Sequence, residues 1–160
     1  ARRFTISSAA VKSLSGDIVK IRKLKINEGN IVFPIIQQLR TELTLTQFIE
    51  KWERVTEHGY CLIGAFIEGT LVGVIGFRPV ETLARGRHLH VDDLVIHDSR
   101  RGSGIGQALL QHVEDLALRG ERLAVFLDSR PEAMGFYEKL GYSLHPAPLV
   151  RKRLTAKPNN

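Results

Sequence analysis

A chain of 160 residues, 43% hydrophobic and 25% charged, has the size and composition of one globular domain, able to bury roughly two-thirds of its unfolded surface. No apolar run approaches the ~20 residues of a membrane span and no signal-peptide pattern is visible, so no membrane association is expected and the cytoplasm is the expected compartment. Lys and Arg number 23 against 17 Asp and Glu, a net +6 that favours anionic partners; with 7% aromatics and no basic stripe interleaved with them, no nucleic-acid partner is expected. Cys61, the single cysteine, sits in an apolar run and reads as a small buried hydrophobe with no internal disulfide to form.

Residues 1–16 are small, polar and basic, with a brief Phe4-Thr-Ile6 of edge-strand character. They are expected as a mobile lead-in to a single domain over 17–155, followed by a loose tail over 156–160. Val19, Ile21, Leu24 and Ile26 alternate with Lys and Arg, a half-buried strand with a phase slip near Arg22-Lys23 that suits a bulge. From Ile31 to Leu43 the spacing is helical, with Ile31, Ile35, Leu39 and Leu43 on one face. Thr44-x-x-Gln47 is a capping box opening a second helix, with Phe48, Ile49, Trp52 and Val55 inward and Gly59 as its stop.

Tyr60–Ile67 and Thr70–Phe77 are apolar runs joined at Glu68-Gly69, a hairpin signal. Glu81 to Arg87 is a polar loop, and Leu89–Ile96 is the next strand. A helix over Ile105–Arg119 carries Ile105, Ala108, Leu109, Val113 and Leu116 on one face, with Gly120 after it. Leu123–Leu127 reads as a short buried strand, and Pro131 opens a short helix closed by Gly141. Tyr142–Leu144 and Leu149–Leu154 have strand character. The sum is an α/β chain with a mixed sheet, no internal repeat and no linker.

Between the strand ending at Ile96 and the helix starting at Ile105 lies a glycine-rich turn. Gly102, Gly104 and Gly106 leave backbone N–H groups uncovered at a helix start, beside Arg100 and Arg101. Such a turn suits a phosphate or pyrophosphate. Gly106 is followed by Gln107-Ala108, not the Lys-Ser/Thr of a Walker loop, and G-x-G-x-G is not the dinucleotide fingerprint.

Arg101-x-x-Gly104-x-Gly106 after a strand resembles the acyl-CoA-binding turn of the GNAT superfamily of N-acyltransferases. Three further segments match in order. Val91-Asp-Asp-Leu-Val-Ile96 resembles the family's central strand, and Leu123-Ala-Val-Phe-Leu-Asp-Ser129 is similar to its fifth. Ala133-x-x-Phe-Tyr-Glu-Lys-Leu-Gly-Tyr142 resembles its closing helix. The resemblance spans roughly residues 60–145. It implies a mixed, mostly antiparallel central sheet with helices on both faces. It also implies acetyl-CoA as cosubstrate, a primary amine (small molecule or protein amine) as acceptor and direct transfer in a ternary complex; a homodimer is an allowed assembly, and no metal is expected, because strand spacing gives the two-His, two-Asp cluster at most two ligands per face.

By the same resemblance, Leu94, Val95 and Ile96 pair with pantetheine as an added strand, and the amides of Arg101, Gly102, Ser103, Gly104, Ile105 and Gly106 hold the pyrophosphate. Tyr137 protonates the leaving thiolate. One departure stands out: Arg130 occupies the place of an Asn that often binds pantetheine, with Asp128 or Ser129 as neighbours able to take over. An alkylamine, pKa about 10.4, attacks only when neutral, so a base is needed. Strand alternation sets His88, His90, Asp92, Leu94 and Ile96 on one face and Leu89, Val91, Asp93 and Val95 on the other. The family's carboxylate most often matches Asp92. His90 is then a relay or alternative base, and Asp93 a structural carboxylate bonded to backbone, unless a bulge reverses the two. Bulk water is the remaining base.

Plainer readings stand beside these. Tyr137 suits a core aromatic with its hydroxyl satisfied, and His88 and His90 suit solvated strand-edge residues. The whole chain also fits a non-catalytic CoA-binding module or, through its charge, a basic nucleic-acid-binding domain. The acceptor is set by the first two helices, the Glu81–Arg87 loop and the last strands, which name no amine.

Overall fold

The computed structural model describes residues 5–155. Its contacts group into two compact units, residues 1–128 and 129–160. In the first, one sheet is built of β1 (Ala9–Lys12), β2 (Ile18–Lys23), β3 (Cys61–Ile67), β4 (Thr70–Thr82), β5 (Gly86–Ile96) and β6 (Val125–Leu127). Spatial order copies chain order. Every neighbouring pair is antiparallel except β5 with β6, which is parallel. The β3–β4 hairpin turns on Glu68 and Gly69 at φ 48° and 78°. Two successive positive φ values give the strand-matching twist of a two-residue turn.

Helices cover both faces of the sheet, so β3 and the first half of β4 are buried almost throughout, as their unbroken apolar runs demand. On one face lie α1 (Gly29–Leu39) and α2 (Leu45–Glu57). Val32, Ile35, Ile36, Phe48 and Trp52 form a core there with Leu62, Val74 and Val95. On the other face lies α3 (Ile105–Arg119). It passes so close over β4 that a Cβ on Gly73 would stand 3.3 Å from Ile105 and 3.4 Å from Leu109. Thr44 and Gln47 make the reciprocal capping box at the start of α2, at 3.0 and 3.2 Å. No helix among the described residues is long and apolar enough to cross a membrane.

Several expectations are corrected. The edge strand expected at Phe4-Thr-Ile6 falls partly outside the described residues. The edge strand that does form, β1, lies at Ala9–Lys12, inside the expected lead-in. β2 pairs β3 without a register shift, so the slip at Arg22-Lys23 marks the strand's end and not a bulge. α1 stops at Leu39, four residues early. Its buried stripe is Val32, Ile35 and Ile36, while Ile31 is exposed. Val55 of α2 is exposed as well. The polar loop shrinks to three residues, because β4 and β5 stay paired out to Thr82 and Gly86. Leu123 is exposed, and β6 begins only at Val125.

In the second unit a 3-10 turn over Pro131–Ala133 leads into α4 (Met134–Lys139), which ends before Gly141 at φ 90°. Neither Tyr142–Leu144 nor Leu149–Leu154 forms a strand; Leu144, Leu149, Val150 and Leu154 are exposed. Two prolines, Pro146 and Pro148, interrupt any ladder donor row here.

Candidate active site

The site grows from an irregularity in β5. Gly76 of β4 pairs with Asp93 and Phe77 pairs with Val91, so Asp92 has no cross-strand partner. This extra residue is a β-bulge. In a regular strand Asp92 and Asp93 would point to opposite faces. With the bulge, both carboxylates line one cavity of about 540 Å³ under α1 and α2. Its apolar wall includes Leu43, Phe48 and Trp52, and its charged wall Arg40, Lys51 and Arg78. The simple face assignment is therefore wrong for these two residues, and the bulge merges their faces without exchanging them.

The carboxylates are engaged differently. Asp93 Oδ1 accepts from Arg40 Nε at 3.1 Å and Nη2 at 2.8 Å, and Oδ2 accepts from the Tyr60 hydroxyl at 2.7 Å. Its partners are side chains, not the backbone expected. The Tyr60 phenol is pushed well above its ordinary pKa by burial first, then by the Asp93 charge and the hydrogen bond it donates, so it remains a donor. Asp92 Oδ2 accepts from Arg78 Nε at 2.9 Å, while Oδ1 faces His90 Nε2 at 3.9 Å, beyond hydrogen-bond reach. That His90 nitrogen also stands 3.5 Å from Asp128 Oδ2, so the ring lies between two carboxylates. His88 is not a solvated edge residue. It is buried, with Nδ1 3.0 Å from the Gly86 carbonyl and its ring on Phe126.

At the far end of β5 the backbone does the shaping. A 3-10 turn over Asp98–Arg100 leads to Gly102 and Gly104 at φ 76° and 82°, values that side-chain-bearing residues adopt at a cost. The first α3 amide bonded to a turn carbonyl is that of Ala108, to Gly104 at 3.0 Å. The amides of Ile105, Gly106 and Gln107 thus precede the helical ladder. Arg101 pairs with Asp98 at 2.6 Å, and Arg100 pairs with Asp17 at 3.3 Å. Asp17 belongs to the β1–β2 turn, whose Leu14 amide also donates to the Ser103 carbonyl at 3.1 Å. Pairing of β5 with β6 covers only Leu89–Val91, so Leu94, Val95 and Ile96 lie beyond that ladder. A strand-like chain ending in a diphosphate has both its donor rows here: a sheet edge and a glycine turn.

In the second unit, Tyr137 stands on α4, edge-on to Phe136 and Tyr142 with centroids 5.1 and 5.8 Å apart. Burial raises its phenol above the ordinary value. The Ser129 hydroxyl donates to the Arg130 carbonyl at 2.8 Å.

The sequence profile of the Acetyltransferase (GNAT) family matches residues 30–142. The chain belongs to the GNAT acetyltransferase family. An uncharacterized N-acetyltransferase, YhdJ of Bacillus subtilis (strain 168), is 30% identical over 117 residues, 70% of this chain and 82% of that protein. A glucosamine 6-phosphate N-acetyltransferase of Trypanosoma brucei brucei is 33% identical over 79 residues, 48% of this chain and 54% of that enzyme. Among solved structures, a Trypanosoma brucei acetyltransferase superposes with a TM-score of 0.72 at 24% identity, covering 85% of this chain and 99% of that one. The aminoglycoside N-acetyltransferase AAC(6')-Iy in complex with CoA gives 0.74 at 16% identity, covering 87% and 97%.

In this GNAT chain the residues that sequence reasoning missed are Arg40, Tyr60, Gly76 and Arg78. Gly76 alone carried a signal, because a glycine inside an apolar strand marks a close approach. A Cβ there would fall 1.8 Å from the Tyr60 hydroxyl oxygen.

Proposed function

We propose that the chain is an acetyl-CoA-dependent N-acetyltransferase acting on a primary amine, with Asp92 as the base. The observation that carries this reading is the pairing of an open β5 edge and glycine turn with a carboxylate-lined cavity on the same strand. Acetyl-CoA supplies the activated thioester. Asp92, whose Oδ1 accepts no hydrogen bond from His90, takes the ammonium proton directly or through water, with the His90 ring standing between it and Asp128. Asp93 is unsuited to that task, since Arg40 and Tyr60 occupy both its oxygens. The neutral nitrogen then forms the bond to the acetyl carbon and a β5 amide receives the oxyanion; as the carbonyl re-forms, the C–S bond breaks and the nitrogen releases its second proton to water. The thiolate takes its proton from Tyr137, a role that rests on the resemblance of Ala133–Tyr142 to the family's closing helix.

Glucosamine 6-phosphate, which stands in the names of three curated relatives, heads the amines to screen. The test is melting temperature against acetyl-CoA, with ATP and NAD as controls, followed by free-thiol release. A ligand at a hundred times its Kd adds about 2.7 kcal/mol to folding stability. Asp92→Asn is expected to keep that shift and lose roughly 10²–10⁴-fold in turnover. No shift with acetyl-CoA or CoA overturns the reading. A shift without thiol release from any amine makes the chain a CoA-binding module, and unchanged turnover in Asp92→Asn removes the base.

A further inference from the structure

We propose that Arg40 is a positioning residue, whose guanidinium, with Tyr60 and Asp93, holds the β5 bulge that turns Asp92 into the cavity. The inference rests on the acetyltransferase reading for its catalytic consequence, but its structural content stands apart from it. A bulge leaves the extra residue outside the ladder. Here the Asp92 carbonyl accepts from Arg40 Nη2 at 3.0 Å, from a helix and not from β4. The same guanidinium gives two bonds to the next side chain, Asp93. One rigid planar fork thus fixes the carbonyl of one bulge residue and the carboxylate of its neighbour in a preset geometry, which a flexible ammonium stem does not supply.

Each partner is itself pinned. Arg40 ends α1, where its amide donates to the Ile36 carbonyl at 2.8 Å, so the fork is anchored to a helix packed on the sheet. Tyr60 closes the arrangement from just before β3, reaching Asp93 across Gly76, where a Cβ would block its hydroxyl. Arg78 has a different part: it holds the Asp92 carboxylate from β4, while the bulge carbonyl is bonded by Arg40. The fork sets the backbone, and Arg78 sets the side chain. Without the fork, the pleat returns Asp92 and Asp93 to opposite faces and only one reaches the cavity.

Arg40→Met keeps the side-chain stem and removes the donors; Arg40→Lys keeps the charge on a single donor nitrogen without the planar fork. In steady-state acetylation, Arg40→Met is expected to lower kcat roughly 10–100-fold, the cost of a misplaced catalytic group. The acetyl-CoA Kd, read from the thermal shift, should stay within about twofold, and Arg40→Lys should recover part of kcat. A kcat within about twofold of the parent, or kcat and acetyl-CoA affinity falling together, overturns the proposal. A second readout needs no acetyl-CoA. Cross-strand NOEs in the unliganded protein should show Gly76 opposite Asp93 and Phe77 opposite Val91, and the Gly76–Asp93 pair should vanish in Arg40→Met. Persistence of both pairs overturns the proposal even if the parent binds no CoA. A register change with no CoA binding upholds the device and discards the enzymatic reading.

Discussion

The two ends of β5 are shaped by opposite means. At the bulge, distant side chains do the work: Arg40 from α1, Tyr60 from just before β3 and Arg78 from β4 converge on two adjacent aspartates. At the glycine turn the shape is local, with two left-handed glycines and a 3-10 turn, and the long-range supports are contacts from the β1–β2 turn. The contrast follows from the chemistry each end is suited to. Proton transfer needs a side chain with a chosen environment, which must be assembled from several elements. Anion binding needs bare amides, which a backbone bend supplies alone. One end is therefore sensitive to what surrounds it, the other to its own φ values.

The largest expected structural effect is at the bulge. Gly76→Ala puts a methyl group 1.8 Å from the Tyr60 hydroxyl oxygen, forcing the ring away and leaving Asp93 one donor short. A loss of roughly 3 kcal/mol in urea unfolding is expected, from overpacking plus the broken bond. A loss under about 1 kcal/mol would show that the bulge end does not depend on its surroundings.

Gly104→Ala sharpens the other side of the comparison. The residue sits at φ 82°, and the added Cβ comes within 2.7 Å of the exposed Leu14 side chain. About 1–2 kcal/mol should be lost, the cost of a left-handed L-residue. If the turn is governed by its own backbone, that loss persists when Leu14→Ala is added. If the loss disappears in the double variant, contact and not φ rules this end too.

The smallest expected effect is one of pH, in the helix that follows the glycine turn. His112 of α3 is buried, its Nε2 has no hydrogen-bond partner among the described residues, and its pKa is lowered by burial first and by Arg119 second. A depressed folded-state pKa means that the unfolded chain binds the proton more readily. Stability is full above the unfolded value of about 6.5 and declines as pH falls below it. Thermal melts from pH 7.5 to 5.5 should show this decline, and His112→Leu should flatten it. An unchanged slope in that variant assigns the pH response elsewhere.

How much of this was legible in the sequence divides along the same line. Local features were readable: α3 spans the expected Ile105–Arg119, Thr44 and Gln47 cap α2, and Glu68-Gly69 turns the hairpin. The glycine turn was readable because glycine spacing is a backbone statement. What failed was whatever tertiary contact decides. The bulge at Asp92 depends on Arg40, more than fifty residues away along the chain, and no periodicity encodes that pairing. The strand character of Leu149–Leu154 came from apolar content alone, and the segment has no ladder to join. Ile31 fits the i, i+4 row of α1, yet the sheet meets the helix along Val32, Ile35 and Ile36.

The sheet's order has a consequence for assembly. Because neighbours in space are neighbours in sequence from β1 to β5, each antiparallel pairing is between consecutive strands, and the β3–β4 and β4–β5 pairs close over short turns at little entropic cost. Two pairings are different: β2 meets β3 only after α1 and α2 have been laid down, and β5 meets β6 only after α3. Contacts across long stretches of chain are the slow ones to form. The strand end proposed to receive the cosubstrate is thus bordered by the shortest ladder of the sheet, one of the two that no short turn hastens.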